Sequence, residues 1–303
     1  MRPQNLKTRI FLDSGDPAET REAIKLLGFL DGQTTNPSLI AKNPETRGRK
    51  FTKQEILDFY KKVVREISGL IPEGSVSIEV YADFSTSSKD MLEQAREFNA
   101  WISPHPPEYS PLPLPRGERA IERPRALAHI KFPTTTEGLK AAEQAVKEGI
   151  RVNMTLVFSQ AQAAAVYAAT RGAKKGDVFL SPFVGRLDDR GENGMDLISN
   201  IIKMYKQGDN HVEVLTASVR SVDHLLQATK LGSDIATAPF KVLKEWADRG
   251  MIINNHNYNS NRLKPIFYEE TDIGKHWRDY DIRHELTDKG IEKFAADWNV
   301  LIR

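Results

Sequence analysis

Short apolar runs alternate with longer amphipathic ones along most of this chain, and this alternation constrains the fold more than any other feature. Such runs are typical of buried strands, and the amphipathic stretches are typical of helices. The pattern occurs eight times between Thr8 and Gly250. Repeated strand–helix units build parallel sheets covered by helices, so eight of them predict a closed (β/α)8 TIM barrel in a single α/β domain, 1–303. The predicted strands are TRIFLD, DGQTTNP, SVSIEVYAD, ALAHIKFP, IRVNMTLVF, DVFLSPFVG, HVEVLTASV and SDIATAP.

The repeated pattern allows one alternative fold, and two segments of the chain lie outside it. A doubly wound open sheet is the structural alternative, but no G-x-G-x-x-G motif opens the first unit. Residues 102–125 are dense in proline and arginine and predict an inserted loop before the fourth strand, away from the catalytic end. A proline-rich ligand for a partner domain is the other interpretation of this loop. Residues 285–303 predict a C-terminal helix that packs over the barrel or over a neighbouring subunit of a homo-oligomer.

Composition excludes several classes of protein. The 303 residues include 43 basic and 41 acidic ones, so nothing favours binding to nucleic acid or to an anionic membrane. Cysteine is absent, which excludes disulfides, thiol nucleophiles and thiolate metal sites. The seven histidines have no metal-ligand spacing, so no metal site is predicted. With no apolar run of about 18–20 residues and no signal-peptide core, the chain is predicted to be cytoplasmic.

Polar residues follow one another at the ends of the predicted strands, among apolar neighbours. Active sites of (β/α)8 barrels lie at the carboxyl ends of the strands. The residues at or just beyond these ends are Asp13, Thr34, Thr35, Asn36, Glu79, Lys131, Asn153, Thr155, Ser181, Arg186, Ser218 and Arg220.

A lysine within an apolar strand is the most informative of these residues. Lysine is almost never fully buried unless it is paired or functional. Burial disfavours a charged amine, and a neutral amine can attack a carbonyl to form a Schiff base. A carboxylate across the barrel can then move protons, and two arginines with a serine can hold a phosphate. The set therefore predicts a Schiff-base enzyme acting on a phosphorylated carbonyl compound.

Each of these residues also has a purely structural interpretation. Lys131 can pair with Glu79 or Asp13, Asp13 can cap the first helix, Asn36 can form a turn with Pro37, and Arg186 and Arg220 can lie in solvent. His129, two residues before the lysine, is interpreted as a core residue. The joint position of the polar residues at successive strand ends favours function.

Eight motifs of the chain resemble the transaldolase family, within the wider group that includes fructose-6-phosphate aldolases. The resemblance covers about residues 8–249 and 285–299, on FLDSGDPAE, DGQTTNPSLI, SIEV, IKFP, RVNMTLVFS, SPFVGRLDD, TASVR and LTDKGIEKFAADW. It implies a (β/α)8 barrel that transfers a dihydroxyacetone unit from sedoheptulose 7-phosphate or fructose 6-phosphate to glyceraldehyde 3-phosphate or erythrose 4-phosphate. It also implies that no metal and no cofactor takes part.

The same resemblance implies a role for each site residue. Lys131 matches the Schiff-base lysine, Asp13 the acid/base at the C4 hydroxyl, and Glu79 with Thr155 the pair that holds water. Asn36, Asn153 and Ser181 match contacts to the three-carbon unit, and Thr35 and Phe183 complete the substrate-binding set. Arg186, Ser218 and Arg220 match a phosphate clamp.

Two positions help to distinguish an enzyme that transfers the dihydroxyacetone unit to an acceptor from one that releases it. Aldolases of the group tend to carry Gln where Glu79 stands and Tyr where Phe183 stands, so this sequence favours a transaldolase. A lyase that releases free dihydroxyacetone is the first alternative, and a non-catalytic sugar-phosphate-binding barrel is the second. The chain departs from the family in its long loop 102–125 and in IKFPTTTEG, where Phe132 is expected to point outward.

Overall fold

Eight parallel strands close into a barrel in the computed structural model, which describes residues 2–102, 126–253 and 258–303. Each strand pairs with the next in the chain, and β8 pairs with β1. This closure confirms the predicted (β/α)8 barrel and excludes the open sheet. The strands are β1 (Arg9–Asp13), β2 (Gly32–Thr34), β3 (Ser75–Glu79), β4 (Leu127–Pro133), β5 (Val152–Val157), β6 (Val178–Pro182), β7 (Val212–Thr216) and β8 (Ile235–Ala238).

Eleven α-helices cover the barrel within the described residues. They are α1 (Pro17–Leu27), α2 (Pro37–Ala41), α3 (Lys53–Leu70), α4 (Ser88–Ile102), α5 (Thr136–Lys147), α6 (Gln160–Ala169), α7 (Val184–Asp189), α8 (Gly194–Tyr205), α9 (Val222–Leu231), α10 (Phe240–Asp248) and α11 (Glu285–Asn299). The described helices include none that is long and apolar enough to cross a membrane. The predicted loop 102–125 lies outside the described residues except for Ile102, which ends α4.

The short helices α2 and α7 were missed by the sequence analysis. Each has only five or six residues, which is too short for a helical hydrophobic period to be recognised. The strand predicted over 177–185 therefore ends at Pro182, and its last residues, Val184 and Gly185, begin α7.

Local sequence signals place the first helix. The Asp16 side chain accepts a hydrogen bond from the backbone N–H of Ala18 at 2.8 Å, and Pro17 occupies the first helical position. Gly28 ends the helix at φ 76°, a backbone conformation that favours glycine. Since Asp16 caps α1, Asp13 is not needed there and remains at the end of β1.

Aromatic rings fill the amino-terminal half of the barrel interior. The Phe11 and Phe179 rings meet edge to face at 6.1 Å, and the His129 ring stacks on Phe179 at 3.8 Å. A Cβ atom at Gly32 would lie 2.4 Å from the Phe11 ring, so only glycine fits beside it. Asp13, Glu79 and Lys131 lie farther along β1, β3 and β4, toward the carboxyl end.

Helix α11 lies across that carboxyl end. Thr287 donates a hydrogen bond to the Leu156 carbonyl at 2.9 Å, and a Cβ atom at Gly290 would meet the Leu156 side chain at 2.5 Å. Farther along, Asp297 accepts a hydrogen bond from Ser38. The C-terminal helix therefore packs over the barrel of its own chain.

Candidate active site

Lys131 and Glu79 face each other on neighbouring strands at the carboxyl end of the barrel. They are register partners on β4 and β3, and the Lys131 Nζ lies 2.9 Å from Glu79 Oε2. The amine also donates a hydrogen bond to the Thr35 carbonyl at 3.2 Å. Both side chains are only 4% exposed. A buried ion pair by itself fits a structural lysine as well as a catalytic one, because buried charges are normally paired.

One oxygen atom of this pair and one hydroxyl on β5 lack a hydrogen-bond partner of normal geometry among the described residues. Glu79 Oε2 contacts the amine at ion-pair distance, but within the described part of the chain it accepts no hydrogen bond of normal geometry. The Thr155 hydroxyl likewise has no hydrogen-bond partner among the described residues. Buried polar atoms of native proteins are nearly always satisfied, and leaving one unsatisfied costs about 1–3 kcal/mol. Such a cost is expected where a ligand or a water completes the site.

Asp13 brings a second carboxyl group to the same amine. Thr34 donates a hydrogen bond to Asp13 Oδ1 at 2.6 Å. Burial raises the pKa of Asp13 above its ordinary value of 3.8, and the nearby charge of Lys131 opposes that rise. Burial also raises the pKa of Glu79, which Lys131 lowers and Asp13 raises. One cation therefore serves two carboxyl groups whose protonation is coupled.

A chain of hydrogen bonds holds the Asn153 amide beside the lysine. Asn153 is the register partner of Lys131 on β5. Its Oδ1 accepts a hydrogen bond from the Ser181 hydroxyl at 2.7 Å, and its Nδ2 donates to Ser77 Oγ at 3.0 Å. The orientation of the amide is thus set by hydroxyl groups on β6 and β3.

The side chains of Thr35 and Asn36 make structural hydrogen bonds and do not contact Lys131. The Thr35 hydroxyl lies 2.6 Å from the Tyr60 hydroxyl of α3 and donates to the Ser77 carbonyl, so only its own carbonyl contacts the lysine. Asn36 caps α2, because its Oδ1 accepts a hydrogen bond from Leu39 N at 2.9 Å. The structural interpretation of Asn36 is therefore correct in part, since the cap leaves the amide Nδ2 for a ligand.

Arg186 projects from α7 between two aromatic rings at the rim. Its guanidinium lies 5.4 Å from the centre of the Phe183 ring and 5.5 Å from that of Phe294 on α11. Burial lowers the pKa of Arg186, and the like charge of Arg220 lowers it further. Two guanidinium groups that repel each other favour an anion between them.

Arg220 is held at the same rim by neighbouring side chains. Its Nη2 lies 2.9 Å from Asp189 Oδ2, and its Nε donates a hydrogen bond to Ser218 Oγ at 3.4 Å. A Cβ atom at Gly185 would lie 2.6 Å from the Arg220 side chain, so glycine allows this arginine to cross α7. The three residues of the predicted phosphate clamp thus come from two neighbouring loops of the barrel.

The sequence analysis missed three residues around this site. Phe294 reaches it from the distant C-terminal helix, Asp189 pairs with Arg220, and Tyr60 contacts Thr35 from outside the barrel. Asp189 lies inside the motif SPFVGRLDD, which offered a signal. Tyr60 matches the apolar face of α3, and nothing in its sequence context distinguishes it from a core residue.

Comparisons with known proteins place the chain in a family. The sequence model of the family Transaldolase/Fructose-6-phosphate aldolase matches residues 10–303. A "Probable transaldolase" of Dehalococcoides mccartyi is 36% identical over 96% of this chain and 97% of its own length. Another from Caldicellulosiruptor saccharolyticus is 35% identical over 96% of both chains. The solved 3-hexulose-6-phosphate synthase of Salmonella typhimurium covers 80% of this chain and 97% of its own, with a TM-score of 0.48 and 11% identity, a likeness that says nothing about function. The chain belongs to the transaldolase/fructose-6-phosphate aldolase family.

Proposed function

We propose that this protein is a transaldolase that carries a dihydroxyacetone unit on Lys131 from a ketose phosphate to an aldose phosphate. The donor is sedoheptulose 7-phosphate or fructose 6-phosphate, and the acceptor is glyceraldehyde 3-phosphate or erythrose 4-phosphate. The observation that carries the proposal is the buried Lys131–Glu79 ion pair, with the buried carboxyl group of Asp13 acting on the same amine.

The reaction begins with a carbonyl carbon and the Lys131 amine. Within the ion pair, Glu79 takes a proton from the Lys131 ammonium, and the neutral amine attacks C2 of the ketose. A proton moves from the attacking nitrogen to the new alkoxide to give a carbinolamine. Glu79 then returns its proton to the carbinolamine hydroxyl, which leaves as water held by the Thr155 hydroxyl, and an iminium remains. Burial raises the pKa of Glu79, so this carboxyl carries a proton more readily than an exposed one.

Cleavage and transfer depend on Asp13. Asp13 takes the proton of the C4 hydroxyl, the C3–C4 electron pair moves into the iminium, and the aldose phosphate leaves. The enamine of dihydroxyacetone stays on Lys131 and attacks the aldehyde carbon of the acceptor. Asp13 then returns its proton to the new alkoxide, and water hydrolyses the imine. Because the iminium is the electron sink, the mechanism requires no metal or other cofactor.

Arg186 and Arg220 supply binding energy away from the reacting carbons. Two cations and the Ser218 hydroxyl suit a phosphate dianion, which fixes the far end of the sugar and orients C4 toward Asp13. Helix α11 limits the access of water to the enamine, since its Phe294 stacks on Arg186 above the barrel.

A borohydride trap tests the proposal. Fructose 6-phosphate and borohydride should leave one reduced adduct on the peptide that contains Lys131, found by mass spectrometry. The half-exposed Lys140 on α5 is an internal control that should stay unmodified. Turnover without any adduct at Lys131 would contradict the mechanism. Tight binding of sugar phosphate with neither adduct nor turnover would favour the non-catalytic barrel.

Transfer and release are distinguished by product analysis without an acceptor. We propose that transfer dominates because Phe183 offers no acidic proton to the bound enamine, whereas a tyrosine there would. Phe183→Tyr should therefore raise the steady release of free dihydroxyacetone. A wild-type protein that releases it as fast as it transfers it would be a lyase instead.

We propose further that the protein is cytoplasmic and acts as a homo-oligomer on small sugar phosphates, with no nucleic acid or membrane partner. The lack of cysteine supports the cytoplasmic assignment, and the balanced charge supports the absence of a nucleic-acid or membrane partner. Native mass spectrometry of the full chain measures the number of subunits, and a monomer alone would disprove the oligomer. Turnover that a chelator abolishes would contradict a metal-free reaction.

A further inference from the structure

Tyr60 is a buried tyrosine whose hydroxyl touches the backbone of the active site from outside the barrel. The residue lies on α3 and is 1% exposed. Its ring packs edge to face against Phe98 at 6.0 Å and Trp101 at 5.5 Å, and it also contacts Trp298 of α11 at 5.9 Å. These rings hold the phenol in one orientation, with its hydroxyl directed at β2 and β3.

The hydroxyl belongs to a chain of hydrogen bonds whose directions are determined by its ends. The backbone N–H of Glu79 can only donate, and it bonds the Tyr60 hydroxyl at 3.0 Å. The Ser77 carbonyl can only accept, and it bonds the Thr35 hydroxyl at 2.8 Å. The Tyr60 hydroxyl must therefore donate to the Thr35 hydroxyl, 2.6 Å away. Burial raises the pKa of Tyr60, so the proton needed for this bond is retained.

Two residues of this chain, Thr35 and Glu79, also contact the amine of Lys131 through other atoms. The Thr35 carbonyl accepts a hydrogen bond from the amine, and the Glu79 carboxylate forms its ion pair. The Tyr60 hydroxyl thus ties together the two residues that determine where the amine lies.

We propose that Tyr60 is a positioning residue for the Schiff-base lysine, acting through the backbones of Thr35 and Glu79. This inference rests on the proposed function for its catalytic consequence, but the positioning itself does not. Without the phenolic hydroxyl, the N–H of Glu79 loses its partner and the ends of β2 and β3 can move apart. The reactive geometry of the amine should then be populated less often.

Tyr60→Phe tests this, with Tyr205→Phe as the matched control. Tyr205 is also a buried helical tyrosine, and its hydroxyl donates to the Ala163 carbonyl at 2.8 Å, away from the site. Tyr60→Phe should lower kcat by up to about 100-fold with little change in KM, because the phosphate clamp is untouched. Tyr205→Phe should leave both constants unchanged.

Thr35→Val breaks the same chain at its other hydroxyl and provides a second variant. It should lower kcat as Tyr60→Phe does, and the double variant should be no slower than either single one. Independent losses that multiply in the double variant would overturn the proposal. So would a Tyr60→Phe enzyme that matches Tyr205→Phe in kcat.

A readout without turnover keeps this proposal separate from the proposed function. Formaldehyde and cyanoborohydride methylate neutral amines, so the rate of Lys131 methylation at one fixed pH depends on how the amine is held. This rate should change in Tyr60→Phe and stay the same in Tyr205→Phe. If wild type forms no sugar adduct while the methylation rate still changes, the proposed function fails and the positioning stands. If the adduct forms and neither the methylation rate nor kcat changes, the positioning fails.

Discussion

Two buried polar clusters, each with one residue on β3 and one on β4, differ in how fully their atoms are hydrogen-bonded. The upper cluster, at the carboxyl end, consists of Asp13, Glu79, Lys131 and Thr155, and it contains two oxygen atoms that lack hydrogen-bond partners among the described residues. The lower cluster, nearer the amino end, consists of Ser75 and His129 with the Gly176 carbonyl. There the His129 Nδ1 lies 2.7 Å from Ser75 Oγ, and its Nε2 lies 2.9 Å from the carbonyl.

The lower cluster needs nothing more. Because a carbonyl can only accept, Nε2 donates to Gly176 and Nδ1 accepts from the Ser75 hydroxyl. Burial lowers the pKa of His129 to about 3, so the ring stays neutral and stacks on Phe179. The upper cluster, by contrast, keeps a buried ion pair and the Thr155 hydroxyl, which has no hydrogen-bond partner among the described residues. This difference supports the proposal that the carboxyl end binds the substrate, because a binding site must leave polar groups for its ligand.

The largest expected effect comes from removing the amine of the upper cluster. Lys131→Met should reduce transfer by more than about 10⁴-fold, as loss of a covalent nucleophile does elsewhere. Lys131 is also the charge that most lowers the pKa of Glu79, so that pKa should rise in the variant, as measured by ¹³C NMR titration. Lys140→Met, at the half-exposed lysine of α5, is the control that should retain activity. If Lys131→Met retained transfer activity, the upper cluster would not be the catalytic site.

The next largest effect concerns the decrease of kcat/KM at acidic pH. Asp13 must be ionised to accept the C4 proton, and burial raises its pKa above 3.8, so kcat/KM should fall with decreasing pH at a midpoint above that value. Asp13→Asn should lower kcat about 10²- to 10⁴-fold. It should also abolish the contribution of Asp13 to the decrease of kcat/KM at acidic pH. Asp16→Asn preserves the cap of α1 and should behave as wild type. A midpoint of this decrease at pH 3.8 would contradict a raised pKa of Asp13.

The lower cluster should respond in stability and not in activity. His129→Phe keeps a ring against Phe179 but leaves the Ser75 hydroxyl and the Gly176 carbonyl without the imidazole, which should lower the unfolding free energy by about 1–3 kcal/mol. In wild type, the unfolded histidine binds a proton below about pH 6.5, while the folded one does so only near 3. Stability is therefore lost as pH falls through that window, and the deficit of the variant should shrink. Denaturant titration at several pH values measures the stability deficit of the variant and its pH dependence. A large loss of kcat would contradict a purely structural role of the lower cluster.

The smallest effect has opposite signs in stability and activity. Thr155→Val removes an unsatisfied buried hydroxyl, so the unfolding free energy should rise by about 1 kcal/mol. The same change should slow turnover about tenfold, the equivalent of one hydrogen bond of about 1.4 kcal/mol. The matched control is Thr170→Val, since the Thr170 hydroxyl donates to the Val166 carbonyl at 2.8 Å. It should lose stability and retain activity; a destabilised Thr155→Val would mean that its hydroxyl is satisfied in solution.

Several parts of the site could be predicted because they depend on residues close together in the chain. The cap at Asp16 and the strand ends at Asp13, Glu79 and Lys131 follow from local patterns. The helix α7 could not be recognised, because one and a half turns carry too little periodicity. The outward direction of the Thr35 hydroxyl was also missed, since β2 has only three residues and ends before it.

The sequence by itself determined the barrel and the polar inventory of its carboxyl end, because the alternation of strands and helices and the residue types at strand ends are local properties. Tertiary structure alone decided which of these groups meet. The register of β3 against β4 pairs Glu79 with Lys131, and the return of α11 sets Phe294 on Arg186. The Tyr60 hydroxyl joins Thr35 to Glu79 only once α3 has packed. Such contacts depend on distances of a few ångströms between residues far apart in the chain, which no local pattern encodes.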